Sequence, residues 1–191
     1  MSPVQLFTRY VTALSIALCV SSALTYAQTA GRASSQVRTA ASARTPKVEA
    51  NLAQLMRGVV FPASNVVFAA QGDLGAFPPD RDPSVSPNLL TSTYGGWQAV
   101  ENASLALAES ANLILLPGRQ CSNGKPAPVQ RADWIKYAQG LRDAGMTAYK
   151  AAQSRSQDAM VDAAGTVADA CSACHDVYRE KKGGLQDRCV P

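Results

Sequence analysis

The chain has 191 residues, 47% of them hydrophobic and 17% charged, with a formal net charge of +4 and five cysteines. That length and apolar content suit one globular domain with its own core and exclude a charge-rich disordered chain. The positive balance belongs to the first 48 residues: Arg9, Arg32, Arg38, Arg44 and Lys47 lie there and no acid precedes Glu49. The remainder from Glu49 to Pro191 therefore carries −1, which gives no reason to invoke nucleic acid.

In chain order, Arg9 is followed by an apolar run from Val11 to Leu24 that ends in Thr25-Tyr26-Ala27, with small residues where a signal peptidase reads. The run is too short and Ser-rich for a membrane span, so residues 1–27 are expected to be a signal peptide cleaved after about Ala27, leaving no stable span. Cys19 is lost with it. Residues 28–48 are rich in Ala, Ser, Thr and Arg without apolar periodicity, the composition of a disordered basic spacer.

From Glu49 to Pro191 the apolar residues fall on four helical stripes. The first takes Leu52, Leu55, Met56, Val59, Ala63, Val66, Val67 and Ala70; Pro62 interrupts it and predicts a kink around Gly58 to Pro62. A long Gly/Pro/Asp-rich connection, Gly72 to Ser92, precedes the second stripe, Trp97 to Leu115, which Pro117-Gly118 closes. The third runs from Trp134 to Ala152 and a short turn at Ser154 to Ser156 leads to the fourth, Met160 to Tyr178. Four stripes and these connections predict an all-α fold, an antiparallel up-down-up-down four-helix bundle. With helix 1 starting near Val48 and helix 4 ending near Lys182, antiparallel neighbours pair at positions summing to about 230, which sets Leu55, Met56 and Trp134 to Tyr137 level with residue 175.

The last stripe carries the chemistry. Cys171-Ser172-Ala173-Cys174-His175 is the C-x-x-C-H sequence that attaches a c-type haem, and His175 is the one histidine in the chain. Two thiols can form thioethers with the haem vinyl groups while the adjacent imidazole reaches the iron as proximal ligand. C-x-x-C also serves thiol redox chemistry and zinc. No strand-like segment precedes Cys171, as a thioredoxin-like site would require, and a four-ligand zinc site would have only Cys121 and Cys189 left to complete it. Export suits the haem reading, since this attachment takes place after export, and makes the compartment periplasmic.

Taken together, a signal peptide, four helices and Cys171-x-x-Cys174-His175-Asp176-x-Tyr178-Arg179 near the C-terminus resemble the class II cytochromes c, the cytochrome c-prime group. The resemblance covers roughly Glu49 to Lys182. It implies a periplasmic bundle holding one covalent haem c at one end, His175 as proximal ligand, Tyr178 beside the cofactor and Arg179 as a charge near it. Members of that group either fill the sixth iron position with a methionine and carry electrons, or leave it open behind an apolar lid and bind small gases.

Met56 alone among the methionines stands at the right height, so it is expected to ligate the iron or, with Val59 or Leu55, to cover it. Met160 is ~22 Å away along the same helix and Met146 ~15 Å away. Cys121 and Cys189 are brought to the haem end by the topology and are expected to form a disulfide in an oxidising compartment, with two free thiols as the alternative. No enzyme constellation accompanies the haem. The expected function is electron carriage between periplasmic redox proteins, the alternative being nitric oxide or carbon monoxide binding at a five-coordinate haem; a homodimer is allowed for. Basic residues at that end, among them Arg119, Arg131, Lys181, Lys182 and Arg188, modestly outnumber acidic ones and suit either a docking rim or a solvated one.

Overall fold

Helix α1, Leu52–Ala69, starts at a reciprocal cap. The Asn51 side chain accepts from Gln54 N–H and the Gln54 side chain accepts from Asn51 N–H, both at 2.9 Å, which satisfies two donors a helix start leaves unpaired. The helix therefore begins four residues later than Val48, where the apolar pattern alone would start it. The computed structural model describes residues 46–190. The signal peptide 1–27 and residues 28–45 of the spacer lie outside the described residues.

Pro62 shapes α1 in an unforeseen way. Having no N–H, and with its ring crowding the Gly58 carbonyl, it cannot continue a regular turn. The helix does not simply bend. It widens into a π-helical turn over Met56–Val60, in which Phe61 N–H donates to Met56 O five residues back, and then resumes as regular helix. The extra residue rotates everything before it relative to everything after. Ala63, Val66, Val67 and Ala70 are buried as the stripe requires, but Val60 at 6% exposure takes the inward place and Val59 at 38% points out.

Helices α2, Gly96–Ile114, α3, Ala132–Ser154, and α4, Gln157–Tyr178, complete the architecture. The protein is all-α, with no strand among the described residues. Helix α1 packs on α2, α2 on α3, α3 on α4, and α1 also on α4. The third stripe is buried throughout, from Trp134 to Ala152. Gly145 lets α3 lie directly on α2: a Cβ there would stand 2.7 Å from Ala108 N and 2.9 Å from Ser104 O. The buried Ser104 hydroxyl donates to Val100 O at 2.7 Å, so its burial leaves no unpaired polar group. Between α3 and α4, Arg155 adopts the left-handed conformation at φ 52° and Ser156 caps α4 through Ala159 N–H.

The long connection after α1 is tied down by short polar side chains. It contains three 3₁₀ turns, Leu74–Ala76, Pro83–Val85 and Leu89–Thr91, each started by the Asp73, Asp82 or Asn88 side chain accepting a backbone N–H two residues on. Thr91 Oγ1 donates to Asp80 Oδ2 at 3.0 Å, and Leu90 inserts into the core.

Candidate functional site

At the C-terminal end of α4 the chain stops being helical because the His175 carbonyl accepts both Arg179 N–H and Glu180 N–H, each at 2.8 Å. The end thus falls at Tyr178, short of Lys182, and the following segment folds back. Tyr178 O accepts Cys189 N–H at 2.8 Å, and Cys121 and Cys189 are placed at disulfide distance with Cα atoms 6.4 Å apart. Asn123 Nδ2 donates to Gln186 O and Arg188 O, and Lys125 Nζ to Gln186 O. The tail is thereby strapped to the loop between α2 and α3.

α1, α3, α4 and this strap enclose a cavity of about 570 Å³. α4 contributes Cys171, Cys174, His175 and Tyr178, one face of a single helix at steps of three and four. Facing them from α1 are Met56, Val60, Phe61 and Phe68, and from α3 Trp134, Tyr137 and Leu141. The level at which the sequence aligned Met56, Trp134 and Tyr137 with residue 175 is thus the level at which they share one wall. Val59, expected to touch the cofactor, lies outside that wall because of the π turn, and Val60 stands in its place. Leu55 is in the core and not in the wall, so Met56 alone of the three expected distal residues lines the cavity.

Burial raises the Cys171 thiol, opposed by the charge of Arg179. Burial, with Cys171 and Asp133 nearby, pushes Cys174 up to about 11. Both are neutral thiols near pH 7, the opposite of the lowered thiol that makes a C-x-x-C pair a redox nucleophile. Burial, then the Arg179 guanidinium, lowers His175, so its imidazole is neutral near pH 7 and keeps a free lone pair. Zinc would be one ligand short of four, since the Cys121 and Cys189 sulfurs face each other.

Under the cavity, Tyr178 ties α4 to the start of α3. Its hydroxyl donates to Asp133 Oδ2 at 2.6 Å, and Arg131 Nε donates to Asp133 Oδ1 and to the Tyr178 oxygen, both at 3.1 Å. The Tyr178 ring meets Trp134 edge-on with centroids 4.8 Å apart. The Tyr178 hydroxyl and then the Arg131 guanidinium lower Asp133 to about 2. A lowered carboxyl stabilises the fold above its unfolded value of 3.8, and that contribution disappears as pH falls towards 2. Thermal unfolding followed from pH 5 to pH 2 should accordingly fall less steeply for Asp133→Asn than for the parent; parallel curves would show that the network adds no acid-sensitive stability.

Arg119 departs from its expected place on a charged rim. It is buried at 5% exposure, where Nε donates to Leu113 O at 3.0 Å and Nη1 to Ala50 O at 2.6 Å, closing the end of α2 onto the segment before α1. Its role is that of a helix C-cap cation. Arg179 pairs with Glu180 at the cavity lip. Arg57 and Arg188, basic residues that the register sets at this end, also stand in the wall. No protein-family model, characterised protein or solved structure matches the chain.

Proposed function

We propose that the protein is a monohaem c-type cytochrome that carries electrons in the periplasm, its helices forming an antiparallel up-down-up-down bundle with the haem at one end and Cys121 oxidised to Cys189. The observation that carries this reading is the gathering of Cys171, Cys174, His175 and Met56 in one largely apolar cavity wall. The wall suits a haem in three respects. It presents two neutral thiols and a neutral imidazole on one helix face. The volume is within the usual range for small-molecule and cofactor sites. Arginines stand among its otherwise apolar residues, where an acidic edge would sit.

Cys171 and Cys174 would hold the group by adding their S–H bonds across its two vinyls, each sulfur forming a C–S bond and each hydrogen passing to carbon, without redox change. His175 would donate its lone pair from the proximal side, and Met56 would offer its thioether from α1. Bound there, a haem supplies a one-electron couple at the iron. Tyr178, held by Asp133 and Arg131, fixes the end of α4 that carries His175. The aromatic and aliphatic wall would shield the group on its protein-facing side.

A second reading rests on Val60 and Phe61, apolar residues beside Met56 that could close an open iron position and leave it to small gases. Visible spectra of the purified protein separate the two. Electron carriage predicts a low-spin haem protein whose ferric form shows a sulfur-to-iron band near the red end, abolished in Met56→Ala. A high-spin spectrum indifferent to Met56→Ala would instead favour gas binding, and a colourless protein from a host competent in haem attachment would defeat both.

A further inference from the structure

The haem reading assigns the thiols, the imidazole and the thioether of the cavity but leaves two of its cations without a task. Arg57 and Arg188 both line the wall, and among the described residues neither makes a salt bridge. Glu180, the one carboxylate of the wall, is paired with Arg179. Arg188 Nε is buried and has no hydrogen-bond acceptor. A buried guanidinium nitrogen without an acceptor is costly, and an anion entering the cavity would relieve it for Arg188, while the exposed Arg57 borders the same cavity from α1.

The two arginines also stand on fixed stretches of backbone. Arg57 lies within the π turn Met56–Val60, whose register the neighbouring Pro62 fixes. Arg188 is clamped on both sides: its own carbonyl accepts from Asn123 Nδ2 at 3.0 Å, and the next residue is Cys189, whose N–H donates to Tyr178 O. A planar guanidinium offers two parallel N–H donors to a carboxylate, which gives orientation as well as affinity.

We infer that Arg57 and Arg188 form a carboxylate clasp that fixes the acidic edge of the bound group, so that the cavity selects a flat apolar molecule with carboxylates along one side. This rests on the haem reading, in which those carboxylates are the two propionates. It makes the clasp a determinant of how the group is seated before any thioether forms. The strap that carries Arg188 is then part of the binding site.

The experiment uses full-length protein with Cys171→Ala and Cys174→Ala, which cannot attach the group covalently, titrated with ferric protoporphyrin IX and, separately, with its dimethyl ester. Binding is read from the porphyrin absorbance and from quenching of tryptophan fluorescence. The free acid should bind at least about tenfold more tightly than the ester, the scale of one charge-assisted interaction. Adding Arg57→Gln and Arg188→Gln should erase that preference, and Arg57→Lys with Arg188→Lys should restore part of it. Equal affinity for acid and ester, or a preference that survives both Gln substitutions, would overturn the clasp while leaving the haem reading intact. Failure to bind either porphyrin would overturn the haem reading, and the clasp with it.

Discussion

Cys174→Ala should leave at most one thioether, and haem retained by the protein after acid-acetone extraction should fall sharply; with Cys171→Ala added it should vanish. Both sulfurs lie on the cavity face of α4, one helical turn apart, and are half-buried. Replacing them creates little empty space, because alanine keeps the Cβ and removes one atom from a cavity that is already open. The folded helix content by circular dichroism should therefore change little, whereas the covalently bound colour is lost. The mass of the intact protein offers a second measurement: the wild type should exceed its polypeptide mass by one haem, and the double variant should not. Retention of extractable-resistant haem in the double variant would mean that other residues attach it and would remove the central assignment.

The other large effect is expected from Cys121 and Cys189. Their sequence separation is 68, so a bridge between them closes a loop that contains all of α3 and α4. On the chain-entropy model a loop of that length stabilises by ~4 kcal/mol, with native strain able to reduce the figure. Cys121→Ser with Cys189→Ser should therefore lower the unfolding midpoint by roughly 10 °C, given the size of the domain. Both residues are buried, at 2% and 8% exposure, so the replacement also puts two hydroxyls where sulfurs had packed. Comparing the serine pair with an alanine pair separates the contributions: a midpoint shift confined to the serine pair would trace the loss to polarity and not to the crosslink. The tail should become protease-sensitive at Lys181 and Lys182 in either variant, because only hydrogen bonds to Asn123, Lys125 and the Tyr178 carbonyl, the side-chain ones mostly exposed, then hold it.

Much of this site could be read in the sequence because the chemistry and the packing share one periodicity. Helices α3 and α4 keep apolar residues on one face without interruption, so counting along them brings Trp134 and Tyr137 to the level of His175. Helix α1 broke the count, since a π turn leaves no compositional trace beyond Pro62, and a stripe drawn at regular spacing passes through Val59 where the fold uses Val60. Arg119 was misjudged for a different reason. A charge between Gly118 and Gln120 looks solvated, and only the three-dimensional meeting of the end of α2 with Ala50 shows that two carbonyls accept it. Likewise, Asp73, Asp82 and Asn88 marked a loop but not the fact that it holds Leu90 in the core.

The π turn has a consequence for how α1 tolerates change in length. The helix is two halves set out of phase by one residue, the N-terminal half presenting Met56 to the cavity and the C-terminal half seated on α2 while Phe61 and Phe68 line the cavity from it. Removing a single residue from Met56–Val60 would take out the extra residue of the π turn, with Ala63 to Ala70 still seated. Everything N-terminal would then turn by about 100° around the axis. Met56 would leave the cavity, and the capped start at Asn51 would face a different neighbour. A one-residue deletion there would thus disconnect Met56 from the site, which makes this turn a phase-setting element whose length matters more than its composition.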